Sequence, residues 1–395
     1  MPMTTERVLK QALQRNFGPA FDPAAVPEEA RFIFEHPQLI AEEALAAAQV
    51  SGTASRRAPY RLLAGLYDSP RVNAGTLDLD PATSVVAISS RLPPALLHAV
   101  AVVTDQADAV TLMPRRDKAG RLVVGGPRRA LTARRSGGPG LEVARTLAAL
   151  QRSGDLKLAM LVYDLAIRFV VMHECMHIVM GHTGYVRREL GLSVLMEMGA
   201  SRRNVLTTEL SLALEFIADR HAVRGVAQWA RSGRLGDNVE SIPRDPSLSQ
   251  SDFLHRALIL ALMTLLRLFP ARASLSAAAG GSHPHPYARM RWLARELSED
   301  LDGHAEVVRL ILEPMAYWNA SFERNFVSPG RWSAAMAEDQ RVAADVPPVT
   351  DQSYVLITGH AKLWQTLLWS QYSPLFPGDG RDESGWGEPD RGRQA

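Results

Sequence analysis

Apolar positions are distributed unevenly along the chain, and their spacing divides it into elements. The longest nearly uninterrupted apolar run lies between Asp155 and His182. It lacks internal breakers, Ser153 or Asp155 can cap its start, and Gly181 can end it, so the pattern predicts one long, largely buried helix. Tyr185 to Met198 reads as an amphipathic helix with an Arg187-Arg188 face, and Thr207 to Ala222 as a further helix that a threonine can cap. Phe253 to Phe269 is strongly apolar, and the prolines of Ser282-His283-Pro284-His285-Pro286 start a helix through Leu293.

Upstream the pattern changes. Residues 1–80 alternate helical stretches such as Leu39 to Val50 with proline-containing loops near Phe21-Asp22-Pro23 and Glu35-His36-Pro37. Ser84 to Ser90 is β-rich, and Leu92 to Val100 reads as a helix opened by proline. A strand at that position is a candidate edge for holding an extended peptide, and equally a piece of scaffold. Residues 301–372 look helical, including Tyr354 to Tyr372, and the glycine- and charge-rich tail 378–395 is expected to be disordered.

The long apolar helix carries the chemistry. It contains His173-Glu174-Cys175-Met176-His177. Residues four apart stand above one another on a helix, so His173 and His177 can hold one metal ion between them. Glu174 lies about 100° round the helix, where it reaches a water on that metal rather than serving as a ligand beside the histidines. Two core histidines satisfied by hydrogen bonds are the plainer alternative. Imidazoles and a carboxylate in an apolar helix destabilise it unless something coordinates them.

A catalytic zinc takes three protein ligands and keeps one position open. The helix over 207–222 places Glu215 and Asp219 four apart among Leu212, Leu214, Phe216, Ile217 and Ala218. Glu215 would complete the ligand set, and Asp219, one turn on, would accept a hydrogen bond from the free nitrogen of a ligand histidine. An ordinary solvated acidic face is the alternative. His182 falls one residue short of the position where a third histidine ligand follows such a motif in metzincins, and a place behind the ligands or at the helix end suits it better.

Composition narrows the partners. With 44 basic and 42 acidic residues, net charge points to no nucleic acid. The segment 115–135 is basic, with Arg115, Arg116, Lys118, Arg121, Arg128, Arg129, Arg134 and Arg135 against Asp117, but no aromatics are interleaved to stack on bases, and a solvated hairpin is expected. The single cysteine, Cys175, fits a reducing compartment, and the N-terminal residues include no signal-peptide-like apolar run; a cytoplasmic protein is expected. The longest uncharged stretch in the apolar segment after residue 253 is ten residues, Ala257 to Leu266, against about twenty needed to span a bilayer.

Three segments together resemble the gluzincin zinc peptidases, most closely the CAAX prenyl endopeptidases and their bacterial HtpX-like relatives. They are His173-Glu174-Cys175-Met176-His177 with Gly181-His182 behind it, Glu215-Phe216-Ile217-Ala218-Asp219, and Ser282-His283-Pro284 with Arg289 six residues beyond the histidine. The soluble Lit-like phage-exclusion peptidases are a more distant likeness. The resemblance implies one Zn²⁺ per chain on His173, His177 and Glu215, Glu174 as catalytic base, Asp219 behind a ligand, and His283 or Arg289 as catalytic residues near the substrate or the zinc-bound oxyanion. Members commonly carry membrane-spanning helices, for which this chain has no matching segment.

The expected fold is mainly α (α+β): a zincin-like catalytic core at 153–300, a small sheet before it, and a helical region after it at 301–377. The N-terminal part divides into a helical region, 1–80, and a strand-containing region with the basic loop, 81–152. The expected function is hydrolysis of peptide bonds in a peptide or protein substrate. Two alternatives stand beside it, a non-catalytic zinc-stabilised interaction protein and a regulatory nucleic-acid-binding protein with a peptidase-like domain.

Overall fold

The computed structural model describes residues 5–51, 60–80, 82–115, 117–119, 121, 138–191, 195–196, 208–235, 239–268 and 286–325, with 358, 361–362, 364–365, 368 and 372. The fold is mainly helical with a small sheet. The order is α1 (Thr5–Asn16), α2 (Glu28–Ser51), β1 (Arg61–Tyr67), β2 (Ala74–Asp80), β3 (Thr83–Ser89), α3 (Leu92–Thr104) and a two-stranded ribbon of β4 (Ala107–Asp108) and β5 (Met113–Pro114). Then follow α4 (Pro139–Ser153), α5 (Leu156–Val179), α6 (His182–Leu190), β6 (Leu195–Met196), α7 (Thr208–Arg231), α8 (Gln250–Leu266) and α9 (Pro286–Ser298). A helical turn at His304–Val307 and a π-helical turn at Val308–Leu312 lead into α10 (Glu313–Asn325).

The sheet has the order β1-β3-β2-β6. β3 pairs parallel with β1 from Arg61↔Thr83 to Tyr67↔Ser89 and antiparallel with β2. Its side chains alternate between two apolar layers: Val85 and Ala87 face Leu9, Ala12 and Leu13 of α1, while Val86 and Ile88 join the main core. Burial on both faces and pairing on both edges make β3 a central strand. The expectation of a free edge here for an extended peptide is therefore corrected: β2 and β1 already occupy both of its edges. The outer side of β2 is met by β6 at Gly75↔Met196 and Thr76↔Leu195.

Three further expectations change. Residues 1–80 hold two strands, β1 and β2, and the sheet runs across position 80. The helix expected over Tyr185 to Met198 stops at Leu190, because Gly191 takes a left-handed conformation (φ 65°), and Leu195–Met196 is strand. Glu35-His36-Pro37 is no loop, since all three lie inside α2. Proline at 37 has no N–H to bond the carbonyl of Ile33, and the Tyr163 hydroxyl of α5 donates to that carbonyl instead (3.2 Å). Beside it His36 pairs with Asp164, so α2 is fastened to α5 where its own ladder is broken.

α5 is the central helix. Its residues from Tyr163 to Val171 are all buried except Asp164, and it lies against α2, α3, the sheet, α7 and α8. α8 starts at Ser249, whose side chain accepts from the Asp252 N–H (3.1 Å), and is buried from Phe253 to Leu266. The buried Arg256 within it satisfies backbone carbonyls of Thr111 and Arg309 (3.0 and 3.2 Å). Among the described residues no helix is long and apolar enough to cross a membrane. Thr207, Leu122 to Gly137 of the basic segment, His283 with its neighbours Ser282 and Pro284, and the tail 378–395 lie outside the described residues.

Candidate metal centre

α5 and α7 pack side by side, and the four-residue spacing on each turns its polar side chains toward the other. His173 and His177 bring their Nε2 atoms to 3.0 Å of each other. Glu215 of α7 closes the triangle, with Oε2 3.4 Å from His173 Nε2 and Oε1 3.6 Å from His177 Nε2. All three residues are buried, and among the described residues this is the one group of potential ligands close enough to share a metal ion.

The donor set fits a metal. Ligands of a tetrahedral zinc at about 2.1 Å stand about 3.4 Å apart along each edge, and here the Nε2–Nε2 and Nε2–carboxylate distances are 3.0 to 3.6 Å. A carboxylate buried against two imidazoles is also the environment that a divalent cation neutralises. Burial pushes His173 down, but bonds to Asp219 and Glu215 outweigh it and raise the imidazole to about 10. His177 has no such pair of carboxylates, and burial holds it well below its ordinary value.

Behind each histidine stands a different partner. His173 Nδ1 donates to Asp219 Oδ1 (2.8 Å), and Arg289 of α9 grips the same carboxylate through Nε and Nη2, each at 2.6 Å. Burial favours the neutral acid, yet Arg289 and His173 together hold Asp219 below the usual carboxylate range. Arg289 Nη2 is also 3.3 Å from His173 Nδ1, but both atoms carry protons there, so this is a contact and not a hydrogen bond. The guanidinium of Arg289, for which the resemblance implies a place near the substrate or the zinc-bound oxyanion, holds Asp219 beside His173 Nδ1.

His177 is backed by His182. Gly181, at φ 81°, ends α5 and turns the chain so that His182 opens α6 with its Nδ1 2.8 Å from His177 Nδ1. For His177 to offer Nε2 to a metal, its Nδ1 carries the proton and His182 Nδ1 accepts it. His182 is fully buried, and its Nε2 has no hydrogen-bond partner among the described residues. It meets His177 at Nδ1, the ring nitrogen other than the Nε2 that approaches His173 and Glu215.

Glu174 is 1% exposed. A neighbour that periodicity could not reveal is Tyr67 at the end of β1, whose phenol is pushed up to about 12 by burial and then by the charge of Glu174. Nothing in the sequence pairs residues more than a hundred positions apart without a shared motif. Cys175 is buried and free, and burial raises its thiol far above the range of a nucleophile. No protein-family model, curated protein or solved structure matches this chain.

Proposed function

We propose that the protein is a zinc-dependent peptidase of the gluzincin kind, with a zincin-like core formed by α5, α7 and α9 and acting on a peptide or protein target. The observation that carries this reading is the buried triangle of His173, His177 and Glu215 with Glu174 on the same turn of helix as His173. A bound zinc supplies a Lewis acid and a water acidic enough to ionise near neutral pH. Glu174 accepts the proton of the attacking water and returns it to the leaving amine. Asp219, held ionised by Arg289, fixes the His173 tautomer and ring orientation; His182 does the same for His177.

A structural zinc is typically held by four ligands rich in cysteine, and in such a site Glu174 would have no task. The test is metal content by mass spectrometry of the wild type, Glu215→Ala and Glu174→Gln, together with cleavage of an unfolded protein substrate. The expected result is about one zinc in wild type and Glu174→Gln, sharply less in Glu215→Ala, and turnover lost in Glu174→Gln. Zinc retained without Glu215 would discard the ligand set, and cleavage by Glu174→Gln would discard the mechanism.

A further inference from the structure

The described residues of the last helical stretch, Thr358, Ala361, Lys362, Trp364, Gln365, Leu368 and Tyr372, are spaced so that 361, 364, 365, 368 and 372 share one helix face. That face lies in the groove between α6 and α7. Leu368 is fully buried among Val186, Leu210 and Leu214. The Trp364 ring meets Tyr185 edge-on at 5.6 Å between centroids, and Tyr372 meets the same tyrosine at 5.5 Å. Polar contacts fix the register: Gln365 Nε2 is 3.0 Å from His221 Nε2, and the Tyr372 hydroxyl donates to Glu189 (2.7 Å).

Gly184 is shaped to this contact. A Cβ there would stand 2.8 Å from the carbonyl oxygen of Tyr372, so glycine in mid-α6 admits the segment's backbone where any side chain would push it away. Glycine costs a helix interior about 1 kcal/mol relative to alanine. Something other than α6 itself is served by it.

The contacts stand beside the ligands. Ala361 packs with Met180, Phe216, Ile217 and Trp292. Met180 is three residues past His177, Phe216 follows Glu215, and Trp292 is three past Arg289. His173, Glu174, His177 and Glu215 are each at most 4% exposed. A catalytic zinc, by contrast, keeps one position open to water and substrate.

We propose that the helix face carrying Ala361, Trp364, Gln365, Leu368 and Tyr372 is a removable cover, docked in the α6–α7 groove beside the candidate metal centre, and that its release opens the site to substrate. The inference rests on reading that centre as catalytic. It assigns the groove to an occupant, the chain's own aromatic and aliphatic helix face, and gives the helix-in-groove contact a gating role.

The test uses the zinc-loaded 395-residue chain, Gly184→Ala and Leu368→Glu. Gly184→Ala strengthens α6 as a helix while colliding with Tyr372; Leu368→Glu places a charge in the Val186–Leu210–Leu214 pocket and leaves α6 and α7 unaltered. Two quantities are followed, hydrogen exchange of residues 358–372 and the rate at which a chromophoric chelator removes zinc. Both are expected to rise about tenfold in each variant, the equivalent of ~1.4 kcal/mol against docking. Exchange that rises while zinc removal stays at the wild-type rate overturns the cover. Exchange unchanged in both variants overturns the docking. A wild-type protein that binds no zinc fails the peptidase reading itself, and the cover falls with it, whatever the exchange shows.

Discussion

His177 and His182 face each other through their Nδ1 atoms at 2.8 Å, an arrangement that is possible only if one ring donates and the other accepts. In the proposed site His177 offers Nε2 to the metal, so its Nδ1 is the donor. His182→Ala removes the acceptor and frees the His177 ring to rotate, and zinc affinity is expected to fall about 10- to 100-fold. His182→Asn, whose side-chain oxygen can stand near the position of Nδ1, is expected to recover most of the loss. Competition titration with a chelator of known affinity measures both, and equal losses in the two variants would reduce His182 to a packing role.

Metal binding is expected to expel a proton from His173. The imidazole is raised to about 10 by Asp219 and Glu215, so at pH 8 it is protonated before the metal arrives and must be neutral afterwards. Calorimetry of zinc binding in buffers of different ionisation enthalpy reads this directly. Release of about one proton is expected, and Asp219→Asn, by weakening the bond that holds the proton, should lower that number. Proton release unchanged by Asp219→Asn would separate the two residues.

Acid should loosen the fold partly through His221. Burial, then Arg220 and Arg224, lower its imidazole to about 4, against an ordinary value of 6.5. The folded protein therefore keeps His221 neutral where the unfolded chain protonates it. Its contribution is fully present above about 6.5 and is lost as pH falls toward 4. Urea midpoints at pH 7 and pH 5 should differ less for His221→Gln than for the wild type. The same drop in both proteins would assign the acid sensitivity elsewhere.

Tyr163 and Pro37 should be coupled. Tyr163→Phe leaves the buried Ile33 carbonyl without its donor and is expected to cost about 1–3 kcal/mol. Pro37→Ala restores an N–H that can bond that carbonyl, so the cost of Tyr163→Phe should shrink markedly in the Pro37→Ala background. A double-mutant cycle in urea measures the coupling, and strict additivity would mean the hydroxyl is not replacing the missing helical bond.

The site was more legible than the sheet, and for a physical reason. Ligands on helices repeat at four-residue spacing, so His173 with His177 and Glu215 with Asp219 announce their shared faces in the sequence. β1 reads Arg61-Leu62-Leu63-Ala64-Gly65-Leu66-Tyr67, and because it is apolar toward both layers it shows no alternation to distinguish it from helix. β6 is two residues long and carries no period at all. Gly191 was a readable stop for α6, whereas Pro37 argued correctly for a broken helical bond but not for a broken helix, since its remedy lies on another element 126 positions away, at Tyr163.

α5 belongs to the core along most of its length and to the candidate metal centre at its C-terminal end. Whatever binds the centre is thus anchored in the helix on which the rest of the chain is assembled, and a ligand should raise the melting temperature by an amount that grows with the logarithm of its concentration over its Kd. A melting curve then becomes an assay in its own right, able to rank metals, inhibitors and candidate peptides before any cleavage product is known.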